Sequence, residues 1–268
     1  MQFEQIRYDK SEGIATITLN RPERMNAFTP KMLDEWLAAL QDAHLDAETR
    51  VIIVTAEGRG FCTGMDVQAQ AEGRGLLPRS RSLGEARNYL RDTVQRIPRL
   101  VAQLDKPYIA AVNGAAVGAG MDMASMCDIR FAADSARFGM TYVRMGLVPG
   151  DGGCYYLPRI VGTARALELI WSGRLFDAEE ALRIGYVSAV VPAGELMAHT
   201  RAYALKLAKG PAVAIQLAKR LVYRSLEANV DQALEMAQGA MTIVQNTEDA
   251  REGPRAFVEK REPDFKGR

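Results

Sequence analysis

Two short stretches hold the residues best suited to chemistry. One is Phe61-Cys62-Thr63-Gly64-Met65-Asp66, and the other runs from Asn113-Gly114 to Asp122. Each contains glycine, and each lies where an apolar strand gives way to a helix. The first follows RVIIVTA (50–56) and the second YIAAV (108–112). A turn of that kind leaves backbone N–H groups without intrachain partners, and the helix start adds positive potential. Two such turns brought together can grip one oxygen that becomes negative during a reaction. The pattern points to stabilisation of an oxyanion, most naturally an enolate. The bland alternative is a pair of tight turns in a packed α/β core.

The elements that must position these turns can be read from periodicity. Residues 3–8 and 13–19 alternate as strands. Thr29-Pro30 starts a helix whose apolar face is Met32, Leu33, Trp36, Leu37 and Leu40. A strand over 51–55 precedes the first turn. Residues 72–84, with three glycines, a proline and three arginines, read as a mobile surface loop. Helical spacing over 85–103 is bent or cut short by Pro98. The strand 108–112, a helix to about Met126, a strand over 128–132 and a helix near 155–160 follow. Helices then cover 178–184, 194–208, 212–226 and 231–245, with a strand at 187–191. The economical division is a βαβ-rich core over 1–190 and a helical region over 191–268.

Composition excludes several function classes. The 268 residues are 48% apolar and 25% charged, with net charge +1, so neither nucleic acid nor an anionic membrane is indicated. The polar N-terminus does not read as a signal peptide, and no apolar run has the length of a membrane span. Cys62, Cys127 and Cys154 are odd in number and far apart, which argues against a disulfide framework and for a reducing cytoplasmic setting. His44 and His199 lack metal-ligand spacing and read as surface residues, so zinc and a Ser-His-Asp triad are both disfavoured. The string GAGMDM has Met123 where a dinucleotide fingerprint needs its last glycine.

The motifs NRPERMNAF (20–28), GRGFCTGMD (58–66), KPYIAAVNGAAVGAGMDMASMCDIRFAA (106–133), ARFG (136–139), GLVPGDGG (146–153), LPRIVG (157–162) and EGPRAFVEKREPDF (252–265) resemble, in order and spacing, the crotonase (enoyl-CoA hydratase/isomerase) superfamily. The likeness runs nearly end to end. It implies an α/β spiral of ββα turns with a C-terminal helical region that builds trimers, often paired into hexamers. It also implies a coenzyme A thioester substrate and no metal or redox cofactor.

By this resemblance the oxyanion donors are the Met65 and Ala119 amides, with Gly64, Gly118 and Gly120 letting backbone come close. Many relatives have glycine in place of Ala119. Asp122 lies one helical turn beyond Ala119, where typical hydratases carry a glutamate. It is one methylene shorter and can serve as a general base directly or through water, or simply stabilise its own helix start. On this reading Asp122→Asn abolishes turnover while thioester binding survives. Tyr142 stands in the place of the second hydratase glutamate. A phenol can donate a proton or bind water but is a poor base at neutral pH. Asp151 is either the replacement acid, as some isomerases carry theirs in or beside this turn, or a solvent-facing turn residue. Asp66 suits a helix cap beside the binding site. Coenzyme A would meet the backbone around Arg24, Met25 and Ala27, and the phosphates would meet Lys260 reaching a neighbouring subunit. Lys260 reads equally as a solvated residue of a charged tail. Seven arginines between 74 and 99 suit a solvated face, with phosphate contact as the alternative.

The leading function is therefore an enoyl-CoA hydratase-like lyase, closely followed by a double-bond isomerase using one carboxylate. An acyl-CoA hydrolase and a non-catalytic acyl-CoA-binding protein are further alternatives. One branch of the superfamily binds RNA through a lysine-rich helix. Here residues 31–50 set Lys31 and Arg50 against Asp34, Glu35, Asp42, Asp46 and Glu48, a net −3 that disfavours phosphate.

Overall fold

A computed structural model describes residues 2–73 and 82–268. Strand β1 (Ile6–Ser11) pairs antiparallel with β2 (Ile14–Leu19) across a tight turn at Glu12-Gly13. The first strand thus starts later than the 3–8 expected, because pairing with β2 sets its ends. Helix α1 (Pro30–Leu45) begins as its sequence predicts, with Thr29 Oγ1 accepting from the Met32 amide at 3.0 Å. Its buried face carries Met32, Leu33, Trp36, Ala39, Leu40 and Ala43. The indole of Trp36 donates to the Tyr108 hydroxyl at 3.1 Å, so this large pair is buried without an unpaired N–H.

From β3 (Val51–Ala56) a repeat becomes visible: a long strand, a short strand, then a helix. The first unit is β3, β4 (Gly60–Cys62) and α2 (Val67–Ala71), followed by α3 (Leu83–Asp92) and α4 (Arg96–Val101). The second is β5 (Tyr108–Val112), β6 (Ala115–Val117) and α5 (Ala119–Ser125). The third starts with β7 (Ile129–Ala133) and β8 (Arg137–Gly139), and after a 3-10 turn over 141–145 it continues into α6 (Gly153–Val161) and α7 (Thr163–Ser172). Strand β9 (Phe176–Asp177), α8 (Ala178–Arg183) and β10 (Ala189–Val191) complete this part.

Among the described residues the long strands and the three-residue β10 form one sheet in the order β1-β2-β3-β5-β7-β10, parallel from β2 onward. The short strands form a second sheet, β4-β6-β8-β9. Strands β3 and β5 are buried along their whole length, as a parallel sheet covered on both faces requires. Each buried Val or Ile contributes about 1.5–3 kcal/mol by leaving water. Because β4 and β6 are parallel neighbours, the ends of these two strands, and the glycine turns that follow them, lie side by side.

After Val191 the described chain is helical: α9 (Leu196–Ala208), α10 (Ala212–Ser225), α11 (Val230–Gln245) and α12 (Asp249–Glu259). Leu196, Ala204 and Ala208 of α9 pack with Ile14, Val51, Ile53 and Ile109, covering the sheet face opposite α1. Among the described residues no helix is long and apolar enough to cross a membrane.

The helix expected over 85–103 is two helices. Ser82 and Glu85 form a reciprocal capping box that starts α3 at Leu83, earlier than expected. That helix stops at Asp92, before the proline, and Thr93 leaves the helical region. Pro98 falls in the first turn of α4, where its missing N–H costs no helical hydrogen bond. The surface loop expected at 72–84 lies mostly outside the described residues.

Candidate active site

The two glycine turns meet. Gly64 has φ +76°, and a Cβ there would stand 2.9 Å from the Ala119 nitrogen, so only glycine fits. Its carbonyl accepts from the Phe28 amide at 2.7 Å, which pins the turn to the chain entering α1. On the other side the Gly118 amide donates to Gly139 O at 2.8 Å, fixing the start of α5 against β8. Among the described residues, neither the Met65 nor the Ala119 N–H donates to a backbone carbonyl in these turns. Both residues line a cavity of about 230 Å³.

The same wall carries Tyr142, Gly150 and Asp151. Asp151 is 6% exposed and therefore is not the solvent-facing turn residue of the alternative reading. Its Oδ2 lies 3.0 Å from the Tyr142 hydroxyl, which lies 2.7 Å from Asp122 Oδ2 on the far side. Asp122 is 0% exposed and does not line the cavity. The phenol therefore stands between two carboxyl groups. It owns one proton and can donate to one of them only, so both contacts are hydrogen bonds when the other carboxyl is protonated and donates to the phenol oxygen.

Burial and a like charge make that protonation favourable. Burial first, then the negative charge of Asp151, pushes the Asp122 carboxyl up to about 8, against the pull of Tyr142 and of the Gly153 and Asp151 amides. Asp151 is raised by burial and lowered by Tyr142. Tyr142 itself is held far above its ordinary value by burial and the two acids, which keeps the phenol neutral. Among the described residues the Oδ1 atoms of both aspartates are buried without a hydrogen-bond partner. Gly153, the first residue of α6, is what lets Asp122 sit there: a Cβ at 153 would come within 2.2 Å of Asp122 Oδ1.

The rest of the cavity is mostly apolar, with Thr63 and Thr141 as its other polar residues. Phe28, Leu90, Val94, Met145, Leu147 and Val148 line it. Sequence reading missed all six as site residues. Their one signal was position, since Phe28 ends the first motif and Leu147-Val148 lie inside GLVPGDGG. It also missed Asn26, which is fully buried and whose amide donates to Glu57 O and Gly60 O at 2.9 and 2.8 Å. That residue ties the 24–27 segment to the strand feeding the first turn.

Other expected positions fall further out. Met25 has φ 51°, and its carbonyl accepts from the Thr63 amide at 3.2 Å, so residues 24–27 run beside the first turn. Ala27 is buried, while Arg24 is exposed and donates to Gln68 at 2.8 Å. Asp66 is 3.7 Å from the Arg21 guanidinium. Lys260 is exposed, closes α12 in the left-handed region and is not on the cavity wall. Of the 74–99 arginines, Arg91 pairs with Asp92 and Arg96 with Asp34; Arg74, Arg79 and Arg81 lie outside the described residues. His199 is exposed and meets Phe131 edge-on, but His44 is half-buried with an unpartnered Nδ1, which corrects its reading as a surface residue.

Cys62, although inside the first turn, is fully buried; burial pushes its thiol up to about 12, and the thiol donates to Asn26 O at 3.1 Å. It is a structural residue rather than a nucleophile. Among the described residues no group of three His, Cys, Asp or Glu side chains is placed to hold a metal.

Known proteins share this architecture. The profile of the enoyl-CoA hydratase/isomerase family matches residues 9–268. A probable enoyl-CoA hydratase of Rhodobacter capsulatus is 39% identical over the whole of both chains. The crotonyl-CoA hydratase of Syntrophomonas wolfei is 34% identical over 99% of each. The crystal structure of an enoyl-CoA hydratase from Bacillus anthracis superposes with a TM-score of 0.91 at 34% identity, covering 99% of this chain and all of the other. That of a putative enoyl-CoA hydratase from Streptomyces coelicolor gives 0.92 at 33%, covering 100% and 96%. The long-strand, short-strand, helix repeat is thus the crotonase spiral, and the chain belongs to the enoyl-CoA hydratase/isomerase family.

Proposed function

We propose that the protein adds water across the double bond of a 2-enoyl coenzyme A thioester. The Met65 and Ala119 amides would hold the thioester oxygen as it becomes an enolate, a contribution worth about 3–4 kcal/mol of barrier per donor. One observation carries the choice of hydration over isomerisation: Asp151 shares the cavity wall with both amides and is joined to Asp122 through Tyr142. A single carboxylate suffices to move a proton between carbons. Water addition asks more of it: the carboxylate must stay ionised to take water's proton and then deliver a proton to carbon, and the phenol link to a second acid suits holding Asp151 in that form. The crotonyl-CoA and short-chain-enoyl-CoA hydratases among its relatives support the same reaction. Incubation with 2-enoyl and 3-enoyl thioesters in isotopically labelled water tests it. Oxygen incorporation into the 2-enoyl substrate is the expected result. Deuterium exchange with a migrated double bond, and no oxygen uptake, would establish the isomerase instead.

The remainder of the reading follows from this substrate. Coenzyme A would lie along residues 24–27, with Lys260 of a neighbouring subunit at its phosphates, and no further cofactor is called for. A homotrimer, or a hexamer of two trimers, is supported by the apolar side chains that the C-terminal helices leave exposed, among them Val222, Leu234, Phe257 and Val258. A cytoplasmic setting is supported by three free cysteines.

A further inference from the structure

We infer that Asp151 is the carboxylate that meets the substrate, and that Asp122 acts on it from behind through the Tyr142 phenol. The inference deepens the hydratase reading and rests on it. Sequence alone puts Asp122 foremost, because it occupies the position of a hydratase glutamate. The geometry reverses that order. Asp122 is 0% exposed, off the cavity wall and held under the start of α6 against the α-carbon of Gly153. Asp151 is on the wall with Met65 and Ala119; among the described residues its Oδ1, like that of Asp122, has no hydrogen-bond partner. That oxygen is enclosed, so a water or substrate hydroxyl reaches it as the neighbouring wall side chains give way, and supplies the donor it lacks. Tyr142 spans the two acids at 2.7 and 3.0 Å.

One proton beyond the phenol's own is held along this row. In the resting arrangement Asp122 is protonated and donates to the Tyr142 oxygen, and Tyr142 donates to the Asp151 carboxylate. The strong upward push on Asp122 agrees with that assignment. The other titratable groups that its charge reaches, Cys154 on α6 and Tyr186, are both raised and stay neutral at neutral pH. In the reaction, water's oxygen bonds to the β-carbon while its proton passes to Asp151. The double-bond electrons move onto the thioester oxygen between the two amides. Asp151 then returns a proton to the α-carbon as the carbonyl re-forms, ending as the carboxylate it was. Asp122 touches no reacting atom. It is a positioning residue that fixes which way the phenol proton points.

The test is a variant set in the full chain, read with a four-carbon 2-enoyl thioester. Asp151→Asn is expected to lower kcat about 10³-fold, on the scale of a lost general base, with saturated acyl-CoA binding retained by calorimetry. Asp122→Asn is expected to lower kcat about tenfold and to shift the acid limb of the pH–rate profile. That shift should vanish in the Tyr142→Phe background. An Asp122→Asn variant as inactive as Asp151→Asn, or a shift that persists without the phenol, overturns the assignment. Infrared spectroscopy gives a readout independent of turnover and of the Asp151 variant's folding. A protonated-carboxyl band of the wild-type protein at neutral pH should disappear in Asp122→Asn, and its persistence there also overturns the proposal. A wild-type protein that converts no enoyl thioester would sink the hydratase reading while leaving this band to decide the proton's place.

Discussion

The α-carbon of Gly153 lies directly against the carboxyl group of Asp122, leaving no room for a methyl group between them. Two separate parts of the sequence, the first turn of α5 and the glycine turn before α6, therefore fit as one unit. Gly153→Ala puts a Cβ within 2.2 Å of Asp122 Oδ1. Overpacking of this kind costs about 1–3 kcal/mol. The expected outcome is a lowered Tm together with a fall in kcat, because the Asp122–Tyr142 contact must shift. A variant with wild-type Tm and kcat would show that the acid has room to move aside.

The contact between Gly64 and Ala119 makes a sharper prediction. Gly64→Ala adds a Cβ 2.9 Å from the Ala119 nitrogen, in a residue with φ +76°. Either the turn opens or the two amides separate, and each outcome spoils their convergence on one oxygen. Turnover should fall about 10²–10³-fold, the cost of one oxyanion donor, with thioester binding weakened much less. Steady-state kinetics beside calorimetry would separate these effects. A loss confined to KM would mean that the amides bind ground state and transition state alike.

Much of this was legible in the chain itself. The strands over 51–55 and 108–112 declared themselves by apolar runs, and Thr29-Pro30 declared the start of α1. The short strands β4, β6 and β8 did not, because three residues carry no period and glycine-bearing GFC reads as turn. Yet these strands set the two turns side by side. The pairing of Asp151 with Asp122 through Tyr142 was also out of reach, although all three residues were named. Spacing along a chain does not reveal that a phenol from a 3-10 turn bridges a helix start and a glycine turn. Lining residues such as Leu90 and Val94 looked like any amphipathic helix face, although Val94 falls in the turn between α3 and α4.

The apolar cavity wall predicts an acyl-length effect. Val94 is 4% exposed and faces the cavity from the segment after α3. Val94→Phe would fill part of the roughly 230 Å³ available there. For a long apolar acyl group kcat/KM should drop about tenfold or more, on the scale of one or two misplaced methylenes. A four-carbon substrate should lose far less. Equal losses for all lengths would place the acyl chain elsewhere.

Exposed apolar surface on α12 and α7 predicts self-association. Phe257 and Val258 on α12 are 84% and 79% exposed, and Trp171 on α7 is 71% exposed. Apolar groups of that size left in water favour burial against another copy. Sedimentation of the wild-type protein should give an oligomer, and the double change Phe257→Asp with Val258→Asp should release smaller species. A wild-type monomer at micromolar concentration would refute this.

The buried acids predict how stability varies with pH. Asp122 is raised in the fold to about 8 from an ordinary value of 3.8. Between those limits the folded chain keeps a proton that the unfolded chain has released, so added base favours unfolding. Its contribution is complete below about pH 4, declines as pH rises and is gone above about 8. The slope approaches about 1.4 kcal/mol per pH unit for one whole proton. Asp151, also raised, acts in the same direction. Carboxylates held low by partners, such as Asp46 at about 2 beside Lys10, titrate below this window and do not obscure it. Urea unfolding at intervals from pH 5 to 8 should therefore show wild-type stability falling with pH, and a shallower fall in Asp122→Asn. Stability that is flat or rises over this range in the wild-type protein would mean that Asp122 is ionised in the fold.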